Sequence, residues 1–389
     1  MTALSICIPT RNRQIYAMDA ITHLLKSRRQ EFEILVADNS DDAEVLATFC
    51  KSIDDPRLRL MPPEDAPLSM PDNWERMIPE ARGSWISIIG DDDYLDPELC
   101  EVLRLAAKIA PKVESISWGR SYYIWPEART STEITTLPVP SNLRGYDQKE
   151  LMKRLFFWEE AADRPACPFG IYHGAVKREL LERIRETFSG RYFEHGNVDY
   201  DNICKTVMLS GGFLLWERPL SVFGACSQSN SIGLRNREIG KERTKVVLAE
   251  SKFGFEAEGF PFSPDLGIAA SIGHTIEHFK QRYGIDLSGW EENFIRACAK
   301  DCESSFDRQE FNARKEAYGA AIESWRGKKA KKMFKPEYKF RPDVPPFRGT
   351  ADGILYFDMD MGETASAAEF YEMIDAMLFP VHLLESRLA

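Results

Sequence analysis

No run of about 18 apolar residues occurs in the chain, the length a membrane-crossing helix requires, so no segment is expected to span a bilayer. The start, Met1-Thr2-Ala3-Leu4, has no charged, apolar and small-residue succession of a signal peptide. Cysteines stand at 7, 50, 100, 167, 204, 226, 298 and 302, with no CxxC pair among them. Cys298 and Cys302 have no His-rich or Cys-rich partner segment, so reduced thiols are expected rather than disulfides or a zinc site. These absences suggest a cytoplasmic protein. Basic residues are also short: 50 Lys+Arg against 61 Asp+Glu give a formal charge of −11, which argues against broad nucleic-acid binding. No internal repeat is visible. What remains is a chain of 389 residues, 43% hydrophobic, long for one core. One large domain with an appended piece is expected.

Residues 4–110 alternate strand and helix patterns. Leu4–Ile8, Phe32–Ala37, Leu58–Met61 and Trp85–Ile89 read as strands. Ala17–Leu25, Asp41–Cys50 and Pro71–Ala81 read as helices. Such alternation implies a mainly parallel sheet, and ligands of such sheets bind beyond the carboxyl ends of the strands. Thr10-Arg11-Asn12-Arg13, Asp38-Asn39-Ser40-Asp41-Asp42 and Asp91-Asp92-Asp93 each follow a strand. All three polar clusters therefore fall on one edge.

The aspartate triplet is the most informative of them. Three adjacent carboxylates at the end of a buried strand repel each other and resist desolvation. A hard divalent cation relieves both, taking oxygen ligands and keeping positions open for phosphates. A solvated turn is the plainer reading. Yet Asp96-Pro97-Glu98 already caps the next helix, which leaves the triplet surplus to that task.

A second block, about 111–235, has aromatic strand patterns (Ser117–Trp125), a helix near Gln148–Phe157, and Gly170–Val176 leading into Lys177–Glu186. Phe193–Asp201 is rich in acids, and Phe213–Trp216 and Ser221–Ala225 read as two strands. From about 236 the pattern is helical and more charged, with helices over Ile268–Tyr283 and Glu291–Glu323. Residues 342–350 look like a linker, Gly353–Asp360 like a late strand, and Ala365–Leu384 like a closing helix.

Ser5-Ile6-Cys7-Ile8-Pro9-Thr10-Arg11-Asn12-Arg13 and Ile34-Leu35-Val36-Ala37-Asp38-Asn39-Ser40 resemble the opening of a family 2 glycosyltransferase. Asn73-Trp74-Glu75-Arg76, Ala81–Ile86 and Gly90-Asp91-Asp92-Asp93-Tyr94-Leu95-Asp96-Pro97 extend the resemblance. It is good over about 3–110, fainter over 165–230 and absent from 236–389. It implies an α/β GT-A fold: a Rossmann-like, mainly parallel sheet with helices on both faces. That unit would span 1–235, with a nucleotide-binding half (1–110) and an acceptor half (111–235), followed by a mostly helical region (236–389). It also implies inverting sugar transfer from a nucleotide diphosphate, aided by Mn²⁺ or Mg²⁺.

Residue by residue, Thr10 and Asp38 match positions that hold the base in similar enzymes, although Asp38 also suits a plain turn. Asn73 matches a residue near the nucleotide, or serves in the first turn of a helix. Arg11 and Arg13 could reach diphosphate oxygens, or lie in a solvated loop. The family's Asp-x-Asp motif fits the triplet in two registers. Spacing to Pro97 favours Gly90-Asp91-Asp92, which places Asp91 near the ribose and Asp92 on the metal. The other register pairs Asp91 with Asp93, so Asp92 and Asp93 both stand as metal candidates. Val198-Asp199-Tyr200-Asp201 is the nearest match to the motif that carries the base, with Asn197 in place of the usual first acid. Asp199 is the expected base, or else a helix cap. Glu194 is in reserve, and His173 or His195 could complete a metal shell, although a lone histidine is more often structural.

The stretch Arg326–Arg341 is strongly basic with interleaved aromatics. It suits either an anionic membrane surface or a solvated helix end. The resulting expectation is a transferase in bacterial surface polysaccharide synthesis. It would use a nucleotide-sugar donor, with a UDP-sugar expected, and a glycan or lipid-linked glycan acceptor, with peripheral contact through 326–341 at the inner face of the membrane. Nucleic acid is not an expected partner. Two alternatives stand beside it. A sugar nucleotidyltransferase would need a Gly-rich, Lys-bearing loop after the first strand, and Pro9–Arg13 has no glycine. A non-catalytic nucleotide-sugar or glycan binder is kept open by Gly90 and Asn197.

Overall fold

The computed structural model describes residues 2–129, 133–229, 257–305, 307–339 and 347–385. Its first strand, β1 (Leu4–Thr10), is buried along its whole length. It pairs in parallel with β2 (Phe32–Asp38) and β4 (Trp85–Ile88), and β2 pairs with β3 (Leu58–Leu60). Continuous apolar runs form these strands because both faces of the sheet are covered. The register sets Thr10 directly beside Asp38.

The sheet continues from β4 through β9 (Gly174–Lys177), β6 (Ser115–Ile124) and β10 (Phe213–Ala225), in the order β3-β2-β1-β4-β9-β6-β10-β5. Only β9 runs against its neighbours within the span from β3 to β10, and β6 and β10 are again parallel. At the far edge the two-residue β5 (Tyr94–Leu95) and β8 (Leu143–Tyr146) pair antiparallel with different halves of β10. A mostly parallel, helix-covered α/β sheet of this kind is the expected GT-A architecture.

The period-2 alternation of each strand sends its side chains to two cores. One holds Cys7, Leu35, Ala37, Ile86 and Ile88, and is closed by Phe262, Ile272, Phe279 and Phe294 from the C-terminal part of the chain. The other holds Ile6, Ile8, Ile34 and Val36, and is closed by helix α1 (Gln14–Leu25), α5 (Leu99–Ile109) and residues 355–384. The C-terminal part therefore supplies cover to both faces. Its helices are Ile268–Arg282, Glu291–Glu303 and Arg308–Lys331, and a later helix spans Ala367–Asp375. A hairpin of Gly349–Ala351 and Ile354–Asp358 adds Ile134–Pro138 as its third strand.

Several elements differ from the sequence reading. The helix expected over 71–81 is two short ones, Met70–Glu75 and Met77–Glu80. Pro79 has no N–H for the Glu75 carbonyl, which breaks the ladder there. The two strands expected over 213–225 are one, with register shifts on both sides of Pro219. The proline falls at an irregularity between the β8-paired and β5-paired halves, where its missing donor is tolerated. The closing helix ends at Asp375, followed by a short turn of helix at Val381–Leu383. Of the linker expected at 342–350, residues 342–346 lie outside the described residues, as do 340–341 of the basic stretch.

Candidate active site

The carboxyl ends of β1, β2 and β4 converge as expected. Thr10 Oγ1 donates to Asp91 Oδ2 at 2.7 Å. Arg13 grips the same carboxylate as a fork, with Nε to Oδ2 at 3.1 Å and a terminal nitrogen to Oδ1 at 2.6 Å. Its other terminal nitrogen lies 3.6 Å from Asp92 Oδ2. Asn12 turns the loop with a left-handed φ of 58°. Its side chain exchanges two hydrogen bonds with Asp41, and its backbone N–H donates to Ser40 Oγ, tying the loops after β1 and β2 together. Arg11 is exposed on this loop.

All three triplet aspartates are buried, at 0%, 4% and 2% exposure for Asp91, Asp92 and Asp93. They do not face the same way. Asp93 Oδ2 accepts the Gly90 N–H (2.6 Å), the Tyr172 hydroxyl (2.8 Å) and His173 Nε2 (2.8 Å). Its Oδ1 accepts the Gly224 N–H at 2.8 Å. Burial opposes its charge, but His173 and these donors outweigh it and hold the carboxyl below the ordinary aspartate range. This carboxylate is turned inward as a structural knot, so the expected metal role for Asp93 has no free oxygen to rest on.

The same knot accounts for Gly90, the departure from the family pattern. A Cβ at 90 would meet Asp93 Oδ2 at 2.8 Å and Asp92 Oδ1 at 3.2 Å. Gly224 is as closely fitted, since a Cβ there would lie 1.6 Å from the Asp92 carbonyl oxygen. Behind the knot, Trp118 Nε1 donates to Ser221 Oγ at 2.8 Å, and Ser221 Oγ lies 2.8 Å from His173 Nδ1. Indole is a donor only. The Ser221 proton is thus left for Nδ1, which puts the histidine proton on Nε2, facing Asp93.

Asp91 and Asp92 turn instead toward Arg13. Burial raises both carboxyls; Arg13 pulls the other way, and the neighbouring aspartates add to the rise. Asp92 Oδ2 accepts the Cys226 N–H at 3.1 Å, and Trp125 Nε1 donates to the Asp92 carbonyl at 2.9 Å. Two buried carboxylates share one guanidinium, which leaves negative charge uncompensated. Hard oxygens with excess charge are what a divalent cation accepts. No group of three ligating side chains forms a metal site among the described residues. Asp91 and Asp92 could supply two ligands to such an ion, and the rest of its shell would have to come from other groups.

Asp38, 5% exposed, accepts the Ser40 N–H on Oδ1 at 3.0 Å. Its buried Oδ2 has no partner among the described residues. An unpaired buried acceptor is costly, and one beside a cleft suits a ligand N–H. Asn73 does not reach outward. Its Nδ2 donates to the Ala37 carbonyl (3.3 Å) and its Oδ1 accepts from Arg76 (2.9 Å), which also donates to the Asp38 carbonyl. Asn73 braces the end of β2.

Asp199 sits in the first turn of Val198–Leu209 and is half-buried. Burial raises its carboxyl, opposed by its own and the Tyr200 N–H and by Arg120 and Arg164. It also acts electrostatically on Tyr172, the ring bonded to Asp93. Arg120 donates to the Pro168 and His173 carbonyls, leaves its buried Nε without a partner among the described residues, and lies over the Phe223 ring. The reserve base is otherwise engaged. Glu194 pairs with buried Lys205 (3.0 Å) and Arg282 (2.8 Å) and accepts the Tyr283 hydroxyl. Lys205 also holds Asp201 at 3.0 Å, and Asp201 accepts the Glu194 N–H. His195 packs with His274 and His278, and His173 serves Asp93; neither joins Asp91 and Asp92.

Residues 5–185 match the family model described as Glycosyl transferase family 2. The match covers just under half of the chain and supports a glycosyltransferase. No curated protein matches it. Among solved structures, the chain is similar to S. aureus TarS 1-349 in complex with UDP-GlcNAc, at 12% identity and TM-score 0.47, covering 85% of this chain and 88% of that one. The same fragment with UDP matches at 11% identity and TM-score 0.42, with the same coverage. A further S. aureus TarS structure matches at 13% identity and TM-score 0.42, covering 90% of this chain and 57% of that one.

Proposed function

We propose that the protein transfers a sugar, with inversion, from a nucleotide diphosphate to a hydroxyl of a glycan or lipid-linked glycan in surface polysaccharide synthesis. Residues 1–235 are read as the transferase unit, 1–110 as its nucleotide half and 111–235 as its acceptor half, with 236–389 as its cover. The observation that carries the reading is the buried pair Asp91 and Asp92, shared by Arg13, beside Thr10 and Asp38 at the carboxyl ends of the strands.

Asp38 Oδ2 accepts a ring N–H of the base, which favours uracil, a ring with an N–H donor. Asp91 faces the ribose. Asp92, with Asp91 beside it, is proposed to hold Mn²⁺ or Mg²⁺, which supplies charge neutralisation for the leaving diphosphate when bound. Asp199 takes the proton of the acceptor hydroxyl as that oxygen bonds to the anomeric carbon and the bond to the diphosphate breaks. Its helix N-terminus and Arg120 favour the ionised form against its burial.

The test is a screen of nucleotide sugars by titration calorimetry with Mn²⁺, with Mg²⁺ and in chelator, followed by product analysis. A UDP-sugar is expected to bind tightly only with metal. Equal affinity in chelator removes the metal role, and binding without any turnover favours the non-catalytic alternative.

A further inference from the structure

Arg13 occupies the place where a second cation would act. Its guanidinium takes both oxygens of Asp91 at 2.6 and 3.1 Å and stands 3.6 Å from Asp92 Oδ2. Among the described residues the head group is anchored by little else: beyond the two carboxylates, its contact is the Cys226 sulfur at 3.7 Å. A divalent ion on Asp91 and Asp92 would sit within a few ångströms of this charge. At that range two cations repel strongly in a partly buried site. They also compete for the same lone pairs, because a carboxylate gripped bidentately by arginine has its best directions filled.

We infer that Arg13 is a latch: it neutralises Asp91 and Asp92 while the donor is absent, and moves to the donor's diphosphate when metal and nucleotide arrive together. The inference rests on the metal-dependent reading above. Charge supports the coupling. Two carboxylates and one guanidinium sum to −1, and a divalent ion alone turns the cluster to +1. A nucleoside diphosphate brings at least two negative charges, which the ion and the released guanidinium share. Metal and nucleotide must then strengthen each other's binding to the same factor. Arg13 precedes the first turn of α1, its flexible side chain 21% exposed, so it can swing without the sheet moving.

The experiment titrates Mn²⁺ into the full-length protein, with free Mn²⁺ read by electron paramagnetic resonance, with and without UDP. Wild type is compared with Arg13→Met, which keeps the stem and loses the charge, and with Arg13→Lys, which keeps the charge and loses the fork. Thermal melts confirm folding. Without UDP, Arg13→Met is expected to bind Mn²⁺ about tenfold or more tighter than wild type, the scale of one charge-assisted hydrogen bond. Arg13→Lys should fall between them. The gain in Mn²⁺ affinity on adding UDP should be smaller in Arg13→Met than in wild type. Equal UDP-free affinities in all three proteins, with UDP strengthening Mn²⁺ binding in each, overturn the latch and leave the metal reading standing. Absence of Mn²⁺ binding in all three even with UDP overturns both.

Discussion

Replacing Asp93 with alanine separates a structural carboxylate from a metal ligand. The substitution removes one acceptor group and strands four donors: the Gly90 and Gly224 N–H groups, the Tyr172 hydroxyl and His173 Nε2. Each buried donor left unsatisfied costs about 1–3 kcal/mol. These losses are not additive, because Tyr172 and His173 can relax into the space left behind. Hydrogen bonds to a charged group are worth about 1.5–3 kcal/mol each, so the equivalent of two of them, about 3–5 kcal/mol, is a sensible figure for the whole. Asp93→Ala is therefore expected to lose about 4 kcal/mol in urea unfolding, seen as a lower midpoint at unchanged slope. Under conditions where the variant stays folded, its Mn²⁺ affinity with UDP should stay within a few-fold of wild type, since Asp91 and Asp92 remain. A variant that loses less than about 1 kcal/mol but no longer binds Mn²⁺ would refute the argument and restore the register in which Asp91 and Asp93 are the ligands.

Asp199→Asn should leave UDP affinity nearly unchanged and lower transfer by roughly a hundredfold or more, the usual worth of a positioned base. Asparagine caps helices as well as aspartate, so transfer within a few-fold of wild type would reduce Asp199 to a cap. The acidic limb of kcat/KM against pH should lie above the ordinary aspartate range, because burial raises Asp199 and activity disappears as pH falls through that raised value. Arg120→Met removes a charge that favours the ionised form, so the limb should move to higher pH. A limb that moves down or stays fixed would detach Arg120 from the base. Ending the chain after residue 235 removes Phe262, Phe279, Phe294, Phe370 and Ile374, all 0–1% exposed, from the two cores. At about 1.5–3 kcal/mol for each buried side chain, the loss is about as large as the whole stability of an ordinary domain. No cooperative melt should be seen by circular dichroism, and a sharp transition near that of the whole chain would show the first 235 residues to be self-sufficient.

The parallel half of the sheet was legible because its strands are continuous apolar runs closed by polar clusters. That pattern is local, and it places Thr10, Asp38 and Asp91 on one edge with no knowledge of the rest. The far edge was not legible. Tyr94–Leu95 is two residues long and is a strand only because Ser221 and Val222 pair with it. Likewise, nothing near Pro219 signals one bulged strand rather than two, because the choice depends on which segment pairs with each half.

The division of labour within the triplet was hidden for the same reason. Three identical side chains in a row carry no local mark of direction. The groups that turn Asp93 inward lie 79, 80 and 131 residues further along the chain, at Tyr172, His173 and Gly224. Two glycines were the available signals. Gly224, inside an apolar strand pattern, marks a close backbone approach. Gly90, standing where the family has an acid, reads from sequence as a defect in the metal motif. In the fold it is a steric requirement, since any side chain there would press on a carboxylate already held by four donors. The substitution that kept a non-catalytic reading open is thus explained by packing. Asn197, the other departure, precedes Asp199 at the start of its helix and makes no side-chain cap there. It has no such steric explanation, so the case for catalysis turns on Asp199 rather than on the triplet.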